Sequence, residues 1–110
     1  ILDTWPYGGH TTTADALAAG VPVLTLEGKN FAGRVAGSLL TAAGLGKSLI
    51  AKSEKEYARI ACALYDSPDV LKKIYDFMAR NLPNSSLFDS VKRTRDLEAV
   101  VERLVKNETE

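Results

Sequence analysis

Apolar and polar residues alternate along the first part of the chain in short blocks whose spacing changes from strand-like to helix-like. Residues 21–26 form a continuous apolar run, which is typical of a strand covered on both faces. The alanine-rich residues 11–19 before it predict a helix, and Gly20 is placed to end that helix in the left-handed conformation. Residues 1–3 resemble the end of a preceding strand. The pattern therefore predicts a strand–helix–strand unit with parallel strands and a right-handed crossover.

The next segment predicts one more helix and one more strand. Residues 31–43 are expected to form a helix that Gly44 ends, and residues 48–51 are expected to form a third short strand. Ser53 and Glu56 have the spacing of a capping box, in which each side chain bonds the amide of the other residue. A new helix is therefore predicted to begin here.

The rest of the sequence has helical periodicity. It predicts that the helix begun near Ser53 continues to about residue 65. A second helix is predicted to begin with Ser67 as its cap and Pro68 in its first turn, and to run to Pro83. A loop at residues 84–86 and a last helix over residues 89–106 follow. The positions predicted to face inward are Tyr57, Ile60, Ala61 and Leu64 in the first, Leu71, Ile74, Met78 and Leu82 in the second, and Leu97, Val100, Val101 and Leu104 in the third. The predicted class is α/β, with a Rossmann-like parallel sheet and flanking helices, ending in helices.

Length and charge limit the classes of partner. With 110 residues, the chain is expected to form a single domain over residues 1–110. Its 14 basic and 14 acidic residues balance, and no basic stripe interrupts the pattern, so nucleic acid is not an expected partner. The longest apolar run is far shorter than a membrane span and no leader is recognisable, so no membrane association is expected.

Cysteine use bears on the compartment. The one cysteine, Cys62, cannot form a disulfide within the chain or a thiolate cluster around a metal. This favours a reducing compartment, and a cytoplasmic location is expected. Cys62 and Met78 are both predicted to pack in the core.

Candidate chemistry is concentrated at the start of the first predicted helix. Gly8 and Gly9 allow close approach of a ligand to the backbone, while His10, Thr11 and Thr12 add side-chain donors to the unpaired amides of the helix start. Such a site favours phosphate.

Asp15 lies one turn further along, where its carboxylate can accept hydrogen bonds from the vicinal hydroxyls of a ribose. Together with the donors at the helix start, it predicts a nucleoside diphosphate site. The alternative is purely structural: threonines that only cap the helix, a surface histidine and a solvated aspartate.

A series of motifs extends from residue 3 to residue 88. It comprises Asp3-Thr4, Pro6-Tyr7, Gly9-His10-Thr11-Thr12, Asp15, Ala19-Gly20, Pro22, Phe31-Ala32-x-Arg34-Val35-Ala36-x-Ser38, Leu49-Ile50-Ala51-Lys52, Glu56-Tyr57 and Ser86-Leu87-Phe88. Together these motifs resemble the C-terminal catalytic lobe of the O-GlcNAc transferases and their SPINDLY-type bacterial relatives, which are two-lobed glycosyltransferases of the GT-B kind. The resemblance implies the C-terminal, nucleotide-sugar-binding half-domain of that fold.

The resemblance also implies roles for individual residues. The residues that match His10, Thr11 and Thr12 contact the diphosphate of UDP in that family, and the residue that matches Asp15 holds the ribose. Tyr7 matches a position that borders the donor sugar, and Gly9 completes the candidate nucleotide-sugar site. No residue matches a general base, so the catalytic residue is unknown, and neither a metal nor another cofactor is implied.

The implied reaction is transfer of GlcNAc from UDP-GlcNAc to a serine or threonine hydroxyl of an acceptor protein. The chain is then expected to be a C-terminal fragment of a larger enzyme, inactive without an N-terminal lobe and tetratricopeptide (TPR) repeats. Gly8 departs from the asparagine that is frequent in the family. A SPINDLY-type O-fucosyltransferase that uses GDP-fucose therefore stays open, as does a non-catalytic α/β module that docks a partner or another lobe.

Overall fold

The architecture was analysed in a computed structural model, which describes residues 1–85 and 87–109. Ser86, predicted to lie in a loop and to begin the Ser86-Leu87-Phe88 motif, falls outside the described residues.

A small parallel sheet forms the centre of the first half of the chain. Its two strands, β1 (Thr25–Leu26) and β2 (Ile50–Ala51), pair in parallel, with Thr25 opposite Ile50. Leu2 forms a further parallel bridge with Leu24, so the first residues lie beside β1 as predicted. The amide of Asp3 donates to the carbonyl of Leu24 at 2.9 Å and fixes this register.

The predicted strand over residues 48–51 is only half correct. Ser48 and Leu49 belong to a short helix, α3 (Gly46–Leu49), and β2 begins at Ile50. The amides of Ser48 and Leu49 both donate to the carbonyl of Leu45, at 3.2 and 3.1 Å. These local turn bonds satisfy the two amides before the chain reaches the sheet, which explains the shorter strand.

Helices account for most of the remaining chain. They are α1 (Thr11–Ala18), α2 (Val35–Ala42), α4 (Glu54–Asp66), α5 (Pro68–Asn81), a 3-10 turn (Leu82–Asn84) and α6 (Ser90–Thr109). Gly20 and Gly44 have φ angles of 79° and 83°, which confirms the prediction that each follows a helix end in the left-handed conformation.

Helix α2 begins four residues later than predicted. Residues 31–34 form a turn in which the amide of Arg34 donates to the carbonyl of Phe31 at 3.1 Å. The side chain of Asn30 also accepts a hydrogen bond from the amide of Gly33 at 2.8 Å. An asparagine that bonds the backbone in this way competes with helix formation, which explains the delayed start.

The starts of the later helices agree in part with the predictions. The Ser53 hydroxyl accepts from the amide of Glu56 at 3.1 Å, as expected, but the Glu56 carboxylate accepts from the amide of Lys52 at 3.3 Å instead of from Ser53. Ser67 occupies the predicted cap position of α5, although its side chain makes no capping bond. Pro68 is the first residue of α5, as predicted.

The core lies where α1, α2 and α5 converge with the segment around α3. Its buried members are Leu17, Leu40, Ala43, Leu45, Leu49, Met78, Leu82 and Leu87. The α5 stripe is confirmed, because Met78 and Leu82 are buried and the preceding members are half-buried. The four residues of the α4 stripe are all half-buried, which confirms the prediction that this face of the helix points inward.

Two predictions of burial are wrong. Every described side chain of α6 is exposed, including the stripe predicted to face inward, Leu97, Val100, Val101 and Leu104, with exposed fractions of 40 to 63%. The spacing identified the apolar face of α6 but not whether another element would cover it.

Cys62 is likewise exposed, because the inward-facing side of α4 does not include it. Among the described helices, none has the length and apolar content that crossing a membrane requires.

A long-range hydrogen bond connects α4 to the beginning of the chain. The Tyr57 hydroxyl donates to the backbone carbonyl of Asp3 at 2.8 Å. Burial raises the pKa of Tyr57 above the ordinary value of 10.0, and the negative charge of Asp3 adds to this effect. The neutral hydroxyl is therefore the form that the fold favours.

The core assignment predicts a large difference between two leucine substitutions. Leu40→Ala should lower the free energy of unfolding by about 2–5 kcal/mol, because it leaves a cavity at a fully buried position. Leu104→Ala, the same chemical change on exposed α6, should change it by no more than about 0.5 kcal/mol. Urea denaturation followed by circular dichroism measures both. Equal losses would contradict the exposure of α6.

The Tyr57 contact predicts a specific dependence of stability on pH. A raised pKa in the folded state means that the contribution of the tyrosine is complete below the unfolded pKa of 10.0 and is lost as pH rises through the folded pKa. The difference in unfolding free energy between the natural chain and Tyr57→Phe should be constant from neutral pH to about 10 and then shrink. Denaturation at a series of pH values tests this, and a difference that does not change above pH 10 would refute it.

Candidate functional site

The loop before α1 is held in place by three hydrogen bonds, one within the loop and two to other residues of the chain. The Thr4 hydroxyl donates to the carbonyl of Tyr7 at 2.6 Å and closes a turn within the loop. The amide of Gly8 donates to the carbonyl of Ala32 at 3.2 Å, and the amide of Gly9 donates to the Asp3 carboxylate at 2.8 Å. The loop therefore reaches the start of α1 in a defined conformation.

Gly8 and Gly9 are explained by packing within the chain. A Cβ atom at Gly9 would lie 2.8 Å from the Thr13 hydroxyl oxygen, and one at Gly8 would lie 3.0 Å from a carboxylate oxygen of Asp3. Either side chain would force its neighbours apart. The structure thus shows a close approach of Asp3 and α1 to the loop, and close approach of a ligand stays a prediction.

His10 occupies the N-cap position of α1, and its side chain makes no capping bond. The imidazole is stacked on Tyr7, with ring centroids 5.1 Å apart and planes at 16°, and the edge contact with Phe31 has a centroid distance of 6.3 Å. Its Nε2 atom is buried and has no hydrogen-bond partner among the described residues. The side chain as a whole is half-buried, so the alternative of a surface or loop histidine stays open.

The threonines of the first turn divide into two exposed residues and one buried residue. Thr11 and Thr12 are exposed, whereas Thr13 is only 2% exposed. Asp15 is also exposed and lies four residues after Thr11 and three after Thr12, on the same side of the helix. No acidic residue lies in the first turn, so the positive end of the helix dipole is uncompensated by a side chain there.

The structure thus gathers the predicted site residues at one end of α1. Tyr7, Gly9 and His10 lead into the helix, Thr11 and Thr12 form its first turn, and Asp15 follows one turn later. Binding of a nucleotide by these residues stays a prediction. Within the part of the chain that the structure describes, no three histidine, cysteine, aspartate or glutamate side chains are grouped so as to hold a metal ion.

A large open cleft lies beside this helix start and not over it. It has a volume of about 990 Å³ and is lined in part by the cations Lys29 and Arg34 and by Phe31. Phe31 is 82% exposed and also contacts His10, so it joins the cleft to the candidate site. We base the functional argument on the helix start, because it places backbone amides and side-chain donors together at the positive end of a helix.

The sequence analysis missed three residues near the site. Lys29 follows β1 at the carboxyl end of the sheet, where ligand loops of open parallel sheets lie, and this position was the available signal. Phe31 belongs to a recognised motif but was not assigned to the site. Asp3 was noted only as part of a motif, and its contacts are with residues distant in sequence.

Comparisons with known proteins identify the family. The sequence model of glycosyl transferase family 41 matches residues 1–97. The chain is 40% identical over 98 residues to the probable UDP-N-acetylglucosamine–peptide N-acetylglucosaminyltransferase SPINDLY of Hordeum vulgare, covering 89% of this chain and 10% of that protein. It is also 40% identical over 98 residues to the probable enzyme of the same activity named SEC from Arabidopsis thaliana, with the same coverage.

A solved structure gives the same result. A Thermobaculum terrenum O-GlcNAc transferase mutant matches with a TM-score of 0.83 and 41% identity, covering 93% of this chain and 19% of that chain. The chain spans about a tenth of the length of the curated relatives it matches. These matches confirm the resemblance stated from the motifs, and the chain belongs to glycosyltransferase family 41.

Proposed function

We propose that this chain binds the nucleotide sugar in a protein O-glycosyltransferase, with UDP-GlcNAc as donor and a serine or threonine hydroxyl of a protein as acceptor. The observation that carries the proposal is the His10 imidazole at the start of α1, whose Nε2 is buried without a partner among the described residues. A buried polar atom without a partner costs free energy, and a ligand oxygen would remove that cost. With its proton on Nε2, the ring would donate to a diphosphate oxygen once the side chains that cover this atom move aside.

The neighbouring residues support a diphosphate followed by a ribose. The exposed hydroxyls of Thr11 and Thr12 and the amides of the first turn are available to phosphate oxygens. Asp15, exposed on the same side of α1, would accept hydrogen bonds from the ribose hydroxyls. Tyr7, stacked on His10 and 65% exposed, would border the donor sugar.

In the proposed reaction, the charge that must be stabilised develops next to this helix start. As the bond between the sugar and the β-phosphate breaks, negative charge grows on the departing diphosphate. Donors fixed in advance at His10, Thr11 and Thr12 would stabilise that charge more in the transition state than in the ground state, which accelerates the reaction. The proposal requires no metal ion and assigns no general base within this chain.

The proposed architecture is the C-terminal, Rossmann-like half-domain of a GT-B enzyme, formed by residues 1–110 as one domain. The small parallel sheet and the fold shared with an O-GlcNAc transferase support it. The relatives are about ten times longer than this chain, which supports an N-terminal lobe and TPR repeats as partners in a longer protein. Transfer by the chain alone is not expected, and a cytoplasmic location belongs to the same proposal.

The donor can be tested against the fucosyltransferase alternative. A Cβ atom at Gly8 would lie 3.0 Å from a carboxylate oxygen of Asp3, so the loop packs closely against Asp3 at this position. Because Gly8 contacts the chain's own Asp3, it does not by itself favour GDP-fucose, whereas the names of the SPINDLY and SEC relatives specify UDP-N-acetylglucosamine. A non-catalytic module would bind neither nucleotide sugar.

The proposal predicts a localised response to UDP. Titration followed by NMR should shift the amide signals of residues 9–15. Thr12→Ala and Asp15→Ala should each weaken binding about tenfold, because each removes a side chain that would bond the ligand. The matched controls Thr94→Ala and Asp66→Ala, which remove the same groups at exposed positions on α6 and α4, should leave the affinity unchanged.

The same titration separates the alternatives. Stronger binding of UDP-GlcNAc than of GDP-fucose supports the proposed donor, and the reverse order would assign the chain to the fucosyltransferases. Unchanged spectra at millimolar concentrations of both would refute nucleotide-sugar binding and favour a docking module.

A further inference from the structure

Asp3 uses both of its carboxylate oxygens on neighbouring parts of the fold. Oδ1 accepts from the amide of Gly9 at 2.8 Å, and Oδ2 accepts from the hydroxyl of Thr25 at 2.8 Å. Thr25 lies in β1 and is 1% exposed, so one donor is part of the buried sheet. Asp3 thereby connects the sheet directly to the residue that precedes His10.

The carboxylate also determines how closely the loop can lie against the sheet. Asp3 fills the space next to Gly8 and Gly9. A Cβ atom at Gly8 would lie 3.0 Å from one carboxylate oxygen of Asp3, and a Cβ atom at Gly9 would lie 3.2 Å from the other. The next residue, His10, begins α1. A shift of the carboxylate would therefore be transmitted through two residues to the start of the helix.

We propose that Asp3 is the positioning residue of the diphosphate site, which holds the loop of residues 8–10 so that His10, Thr11 and Thr12 face the ligand. This inference rests on the proposed function. Asp3 itself does not contact the ligand: its two oxygens are occupied by Gly9 and Thr25. Its negative charge would oppose a nearby phosphate, so its benefit to binding comes from geometry.

Two substitutions separate geometry from charge. Asparagine is uncharged but can keep both contacts, because its oxygen accepts from the Gly9 amide while its NH₂ group donates to the Thr25 hydroxyl, which also serves as an acceptor. Alanine keeps neither contact and leaves the Gly9 amide and the Thr25 hydroxyl unpaired. If Asp3 acts by positioning the loop and not through its charge, only Asp3→Ala should weaken UDP binding.

The experiment measures UDP affinity by NMR titration or calorimetry. Asp3→Ala should weaken UDP binding about tenfold, whereas Asp3→Asn should bind at least as tightly as the natural chain. Leu82→Ala serves as the matched control: it destabilises the core away from the loop and should leave the affinity unchanged at a temperature where all variants are folded. Thr25→Val, which removes one of the two contacts, should have an intermediate effect and carries the test if Asp3→Ala does not fold.

A measurement without ligand keeps this inference separate from the proposed function. Hydrogen exchange of the Gly9 amide should be faster in Asp3→Ala than in Asp3→Asn or Leu82→Ala. If the natural chain fails to bind UDP, the proposed function fails, and Gly9 exchange still decides whether Asp3 holds the loop. Equal UDP affinities or equal Gly9 exchange rates in Asp3→Ala and the natural chain would overturn the positioning role, as would an asparagine variant that is as impaired as the alanine one.

Discussion

The hydrogen bonds of Asp3 are the interactions on which the first half of the chain depends. It bonds the amide of Gly9 and the hydroxyl of Thr25, and the backbone carbonyl of the same residue accepts from Tyr57. These bonds join the sheet, the loop before α1 and helix α4 at one residue. Because a carboxylate has several acceptor positions and no donor, it can satisfy two donors from different elements at once.

This arrangement leaves the start of α1 unoccupied by the chain's own acidic side chains. Asp3 lies behind the loop with both oxygens engaged, and the first turn contains only threonines. The imidazole of His10 is held between Tyr7 and Phe31, with one nitrogen buried and unpartnered among the described residues. The loop thus leads into unused donors at the positive end of a helix, which is the physical basis for the anion binding that we propose.

The hydrophobic pattern has a different meaning in α5 and in α6. In α5 the apolar stripe is half-buried or buried and joins the core cluster with residues of α1 and α2, and Met78 is 1% exposed. In α6 an equally regular stripe remains exposed, with Leu97 at 63% and Leu104 at 59%. Periodicity defines an apolar face, but burial requires a second surface of matching shape, which the pattern of one helix does not contain.

The sequence by itself determined the local features: parallel strands, the helix ends at Gly20 and Gly44, the Ser53 cap and the motifs that identified the family. Each depends on residues that are close along the chain or on a motif that can be read directly. Only the tertiary structure decided that Asp3 bonds Thr25 and Tyr57, that Phe31 meets His10 and that α6 is uncovered. These contacts join residues that are 21 to 54 positions apart, or depend on a surface elsewhere, so no local pattern specifies them.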